Sequence, residues 1–367
     1  MPAPAPRRRK TVRLVALLVT LAHAALWLLS DSKTPTASAQ FIGPPAGFRN
    51  FESPQVHPLA LTPDGTRLLA VNSPNGTLSV FRLDGGGAPR LTAEIPVGLE
   101  PVSVAARTDR EAWVVNWLSD SVSVVDIVRG VVTRSFEVGD EPTDVLFAGL
   151  RGELAFVCVS GGGRLTVSGH EVTGASGAVK VFDAGEASAG VRRTIEIFGK
   201  QPRALQRDAA GGRVFVSVFE SGSQTTLVPE PFVRAGGGLP APNPAPAANL
   251  PPAPNTGLIV RWNGSAWADE TGDTRWDGFV NYTLADVDLV ALDATGASPS
   301  VAAQVRGLGT HLGNMAFDPA TGRLFVANLE SGSVQRFEPN LRGHFQASRV
   351  SILRMAGPNA HGLSPRS

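Results

Sequence analysis

The feature that most restricts this chain is that it repeats itself. AVNSPNGTLSVFRLD (70–84), VVNWLSDSVSVVD (114–126) and FVANLESGS (325–333) each run from an apolar strand into an Asn and a polar loop. The first two continue into an alternating strand that ends at Asp. Pro58, Pro101 and Pro142 open three units spaced 43 and 41 residues apart. Gly98, Gly139, Gly199 and Gly307 close four units at gaps of 41, 60 and 108, and a fifth unit begins near Asn314. A period of this length signals one supersecondary unit used repeatedly, whose apolar faces are buried by stacking on its neighbours.

Each unit holds four short strands. In the first they cover 59–62, 68–72, 78–83 and 91–97, separated by PDGT, PNGT and DGGGAP. Asp-Gly and Asn-Gly supply the positive φ that tight hairpins require. Four strands in roughly 42 residues is the period of a propeller blade, and a single blade cannot bury both of its faces. The predicted fold is all-β: a β-propeller of four-stranded blades, about five of them visible, over residues 55–353. The alternation in 121–127 sets Val122, Val124 and Ile127 against a neighbouring blade. Asn116, at the end of a second strand, is expected to bond backbone groups of the loop that follows it.

These stretches, with the turns PDGTRLL and PATGRLF, resemble the YVTN family of bacterial β-propeller repeats over about residues 55–350. The third and fourth units depart from it, because LAFVCVS and VFVSVFE carry no Asn at the equivalent place. The resemblance implies a seven-bladed ring, which needs more chain than five units. The units are then an incomplete seven-bladed ring, from a truncated or split gene product that a second chain completes. The alternative is an open or five-bladed ring closed by residues 41–56. In the last unit either SVQRFEP or RVSIL serves as third strand, and 354–367 reads as the start of a further blade or a tail.

Arg7, Arg8, Arg9 and Lys10 precede an apolar run at 14–29, and Ala37-Ser38-Ala39 fits a small-x-small cleavage site. Residues 1–39 are expected to be an export signal, cleaved or kept as an anchor, and 40–54 a linker or ring-closing strand. The protein is then periplasmic or secreted. The apolar run is shorter than the roughly 20 residues of a bilayer span, so membrane contact is expected only through an uncleaved N-terminal segment. Residues 1–39 hold six basic and one acidic side chain, so the whole chain's +1 becomes −4 beyond them. No basic patch suggests a nucleic-acid partner. The one cysteine, Cys158, cannot form an internal disulfide, reads as a buried small hydrophobe, and leaves the fold to stand on packing.

Insertions at 160–177 and 223–285 enlarge the third and fourth units between their second and third strands. AGGGLPAPNPAPAANLPPAPN (235–255) reads as a flexible loop, and IVRWNGSAW with RWDGFVNYTL as an extra hairpin. Loops after the second strand and loops joining blades lie at one end of a propeller, so decoration gathers on one face. His57, Glu100, Glu141 and Gln201 stand at the blade openings, just before Pro or its equivalents, and form either a ligand- or metal-binding ring at the channel mouth or a solvated rim. His311 and Gly313 fall near this place in the fifth unit. Trp117 either anchors a partner or packs on the adjacent insertion. His344 and Arg349, in RGHFQASRVSIL, either bind an anion or close a loop. The oxygen-rich loop DETGDTRWDG offers Asp269, Glu270, Asp273 and Asp277 to calcium, without the spacing of a helix-loop-helix site. No other cofactor is expected.

No GxSxG, HExxH, paired-Cys or CxxCH pattern supplies a catalytic set. Two readings follow. One is an exported scaffold that binds a protein or a small extracellular ligand. The other, implied by related propeller families, is a lactonase-like hydrolase or the propeller part of a haem- or quinone-associated oxidoreductase.

Overall fold

The alternating stretches become strands where a turn lets the chain reverse. In the computed structural model Gly65 and Gly76 take φ of +67° and +63° at the first two hairpins. Between and beyond them β1 Leu59–Leu61, β2 Arg67–Asn72, β3 Thr77–Arg82 and β4 Arg90–Pro96 form one antiparallel sheet in sequence order. The second blade repeats the plan with β5 Pro101–Ala106, β6 Glu111–Asn116, β7 Ser121–Asp126 and β8 Val131–Glu137. The third uses β9 Pro142–Ala148 and β10 Leu154–Val159, then β13 Gly177–Asp183 and β14 Arg193–Ile197. A small hairpin, β11 Leu165–Val167 with β12 His170–Val172, is interposed.

The fourth blade pairs β15 Lys200–Arg207, β16 Arg213–Glu220, β20 Leu289–Asp293 and β21 Ser300–Val305. Its insertion builds a separate sheet from β17 Thr225–Val228, β18 Leu258–Trp262 and β19 Trp267–Ala268, with helix α1 Glu230–Ala235. The fifth blade holds β22 His311–Asp318, β23 Arg323–Ser331, β24 Gln346–Met355 and β25 Leu363–Arg366, with a helical turn α2 Glu338–Leu341 before β24. The structure describes residues 55–84, 88–161, 165–167, 170–172, 177–185, 190–221, 224–242, 249, 254–280, 286–336, 338–355 and 363–366, all within one compact unit, Arg49–Ser367. The export signal at 1–39 and the segment at 40–54 lie outside the described residues. Among those described, no helix is long and apolar enough to cross a membrane.

Four apolar clusters sit between blades one and two, two and three, three and four, and four and five. Trp113 is fully buried between blades two and three, with Phe136 and Phe147 edge-on at 5.5 and 5.3 Å. Such offset aromatic packing adds to the area it buries. Among the described residues no cluster joins blade five to blade one. There the sheet faces are open, with Leu59, Leu61 and Val350 all more than half exposed.

Several expectations need correction. Ile127 packs toward blade one, opposite to Val122 and Val124, because it stands an odd number of residues from them, and period-two alternation sets it on the other face with Val125. Asn116 bonds the preceding loop: its Oδ1 accepts from Gly98 N at 3.1 Å, and its Nδ2 donates to Ser121 and Ser123. The glycine facing the equivalent Asn328 is Gly309, not Gly307, with an ideal Cβ only 2.7 Å from Asn328 Oδ1. In the last blade RVSIL lies in β24 and is the third strand, while 363–366 pairs with it as the fourth strand of the same blade. The insertion has its own core of Val228, Val233, Leu258, Val260 and Trp276, on which Leu239 of the expected flexible loop packs. IVRWNGSAW does form a hairpin, but its second partner is β17, and 277–279 is a 3-10 turn.

Candidate active site on the propeller axis

The first strand of each blade is innermost, and near its start a bulge inserts one residue in blades two to five. The strand registers make Pro58, Ser103, Asp144, Ala204 and Asn314 equivalent, one per blade, around the axis. Hydroxyls tie the inner ends of consecutive blades. Ser73 donates to Pro101 O, Ser103 to Thr143 O, Thr143 to Pro202 O and Ser217 to Gly313 O, at 2.6 to 2.9 Å.

Residues 55–57 run along this axis. Val56 N donates to Val102 O and Val104 N to His57 O, a short parallel pairing with β5. His57 N donates to Ser103 Oγ at 2.9 Å, and Asn314 Nδ2 reaches Val56 O at 2.6 Å from blade five. The His57 ring meets Asp144 of blade three, Nδ1 to Oδ2 at 2.8 Å. Asp144 is buried, and its carboxylate also accepts from Leu205 N at 2.7 Å and Val145 N at 2.9 Å. Since the carboxylate only accepts, Nδ1 carries the proton and Nε2 keeps its lone pair. The His57 side chain is 33% exposed, so one edge of the ring reaches solvent.

Arg203, one residue before the Ala204 position, donates to Gln55 O at 3.3 Å and lies over the Phe219 ring at 4.9 Å. Phe219 in turn packs on His311, ring centres 5.0 Å apart, and its carbonyl bonds His311 Nδ1 at 3.1 Å. A cleft of ≈ 450 Å³ opens here, lined by Phe219, His311, Gly313, Ala327 and Val350 among others. Burial disfavours the His57 imidazolium, but the charge and hydrogen bond of Asp144 outweigh it and raise the pKa above the ordinary histidine value. Burial lowers the Arg203 pKa, with the Asp144 charge opposing. Away from the axis, burial pushes the Asp286 carboxyl up to about 6, helped by the charge of Asp288.

The residues expected to ring the channel are regrouped. Glu100, Glu141 and Gln201 are equivalent, and all three hold left-handed backbone, φ +49°, +47° and +57°. By register their counterpart in blade five is His311, while His57 lies deeper, beside Ser103 of β5 and against Asp144. Burial and the neighbouring Asp140 and Asp120 raise the Glu141 pKa, opposed by Lys200. Trp117 is half-buried against the core between blades two and three. His344 is exposed, while Arg349 bonds Asn328 Oδ1, Leu308 O and Glu330, so the two do not make a pair.

The acidic loop is tied up internally. Asp269 accepts from Thr271, Asp273 N and Trp276 Nε1, Glu270 pairs with Arg336 at 2.7 Å, Asp277 accepts from Trp267 N and Asp273 from Arg275 N. Among the described residues no three acidic, His or Cys side chains converge as metal ligands. Cys158 is fully buried, and burial raises its pKa well above the usual thiol value. Sequence reasoning missed Asp144 and Arg203. The available signal was a charged side chain within the inner-strand segments EPTDVLF and QPRAL, at positions next to the apolar residues that face the core.

A propeller with a histidine-carboxylate pair on its axis defines a class, and comparison with known proteins narrows it. The chain belongs to the family described as "Lactonase, 7-bladed beta-propeller", whose model matches residues 24–228. Among solved structures it is similar to Kuenenia stuttgartiensis hydrazine synthase, at 16% identity and TM-score 0.53, over 85% of this chain and 67% of that one. It is also similar to a protein from Bacteroides uniformis described as a 6-phosphogluconolactonase, at 13% identity and TM-score 0.49, over 84% and 69%. No curated protein matches. At these identities the structural likenesses are of fold.

Proposed function

We propose that the chain hydrolyses cyclic esters at the axis, with His57 as general base. The 2.8 Å bond from His57 Nδ1 to the buried Asp144 carboxylate carries this reading. It leaves Nε2 able to take a proton from water as the water oxygen attacks the lactone carbonyl carbon. The tetrahedral oxyanion then collapses, the ring C–O bond breaks, and the imidazolium returns the proton to the departing alkoxide, giving the hydroxy acid. Asp144 acts as a positioning residue that sets the tautomer, and Arg203 supplies positive charge near the developing oxyanion. Export is proposed with it, on the basic start, apolar run and Ala37-Ser38-Ala39 of the sequence.

The test is a pH-stat assay of the purified protein against γ- and δ-lactones, both aliphatic and sugar-derived. Hydrolysis above the buffer rate is expected, with His57→Asn lowering kcat/KM by about 10²–10⁴. Because the base must be neutral, kcat/KM rises with pH through a pKa above 6.5. Asp144→Asn removes the partner that raises this pKa, so the rising limb moves to lower pH. Equal activity in wild type and His57→Asn, or none in either, overturns the reading. An exported scaffold is a second reading, supported by the open apolar sheet faces. It predicts saturable binding without turnover.

A further inference from the structure

We propose that Ser103 and Thr143 are positioning residues, whose hydroxyls form a relay that holds His57, Asp144 and Arg203 in register across the axis. The role rests on His57 acting as the base of the hydrolysis proposed above. The three groups come from three chain segments: His57 precedes β1, Asp144 lies in β9 and Arg203 in β15. Ser103 Oγ accepts from His57 N and donates to Thr143 O, both at 2.9 Å. Thr143 Oγ1 then donates to Pro202 O at 2.9 Å. His57 is thus held by its own N–H, Asp144 directly follows Thr143, and Arg203 directly follows Pro202. The relay runs through the backbone beside each functional side chain, alongside the direct bonds of Asp144 to the His57 ring and to Leu205 N.

The bulges of the inner strands make this relay possible. In β9 Pro142 stands opposite Val159 and Asp144 opposite Cys158, so Thr143 is the inserted residue. A bulged residue leaves the ladder and its side chain is re-aimed. The Thr143 hydroxyl accordingly reaches across to blade four. In β15 the inserted residue is Arg203, and in β5 it is Val102, which has no hydroxyl and packs into the core between blades two and three. The other ties between inner ends, from Ser73 and Ser217, start in the loop after β2 and in β16. The two ties made from inner strands are therefore the two that flank His57, Asp144 and Arg203. Ser103 and Thr143 are both buried. Water does not readily replace a hydroxyl lost there, and the groups it bonded are left unpaired. Without Ser103 Oγ the His57 N–H has no link to the blade that carries Asp144. A site of this kind tolerates displacements of only about 0.5 Å.

The test follows the His57 ring by ¹⁵N NMR titration, and lactone turnover beside it, in the full chain as wild type, Ser103→Ala, Thr143→Val and Thr143→Ser. Ser103→Ala is expected to lower the His57 pKa toward its value in Asp144→Asn, because the ring loses its fixed approach to the carboxylate. In the same variant kcat should fall by about 10–10²-fold with KM little changed, the cost of a displacement of about 1 Å or less. Thr143→Val keeps the shape and removes the hydroxyl, so it should move both readouts in the same direction. Thr143→Ser keeps the hydroxyl and should match wild type. Thermal melts identify any variant that fails to fold, and if Ser103→Ala is one, the Thr143 pair decides. A His57 that titrates as in wild type in both Ser103→Ala and Thr143→Val overturns the proposal. So does a Thr143→Ser that behaves like Thr143→Val. Failure of the hydrolysis itself looks different: turnover is absent, or equal in wild type and His57→Asn, while the titration shifts persist and the relay stands.

Discussion

Blades one and two have the same four strands, the same pairing of second with third strand and the same bulge between third and fourth strands. Blade two is covered on both sides, while blade one is covered only on the side that meets blade two. Trp113 and Leu69 occupy equivalent places on the covered faces toward the next blade and are both fully buried. Ala106 and Leu61 occupy equivalent places on the opposite faces. The first packs against the neighbouring blade and the second is largely exposed. Period-two alternation thus decides which side chains share a face. Whether that face is buried depends on a neighbour outside the strand.

The comparison can be broken by substitution. Trp113→Ala is expected to have the largest effect, about 3–5 kcal/mol of lost stability, because it opens a cavity between two blades. Leu61→Ala should change monomer stability by less than about 0.5 kcal/mol, as at other exposed positions. Denaturant titration at low concentration checks both, and a cost for Leu61→Ala near that of Trp113→Ala would mean blade one is covered after all. Glycines sharpen the contrast at a smaller scale. Gly98→Ala brings a Cβ to within 2.4–2.6 Å of Ser119 and Asn116, and about 1–3 kcal/mol is expected to be lost through overpacking. Gly130, at φ +68°, faces open space, so alanine there costs only about 1 kcal/mol of backbone strain. Equal melting shifts for the two contradict the role given to the contact between Gly98 and Asn116.

Much of the fold was legible because the repeat is local. The Asp-Gly and Asn-Gly turns and the alternation in 70–84 and 114–126 place strands to within a residue or so. What failed was non-local or too small to leave a pattern. Ile127 is the exception: it stands an odd number of residues from Val122 and Val124, so the alternation in SVSVVDI itself sets it on the opposite face with Val125. The final strand at 363–366 is set by pairing with β24, not by its own composition. At the site, the sequence located the blade openings but ranked their residues by distance from Pro. Pro58 sits at the position of Ser103 and not at that of Pro101 or Pro142, so His57 lies deeper than Glu100 and Glu141. Its partner Asp144 lies 87 residues away, a separation that no motif spans.

Titration of His57 tests the central claim most directly. The six histidines are labelled with ¹⁵N and followed by NMR from pH 5 to 9, in wild type and in Asp144→Asn, with His57→Asn providing the assignment. The account predicts an Nδ1-protonated neutral His57 whose pKa lies above 6.5 in wild type and falls in Asp144→Asn. A His57 that titrates alike in both proteins, or whose neutral form carries its proton on Nε2, contradicts it.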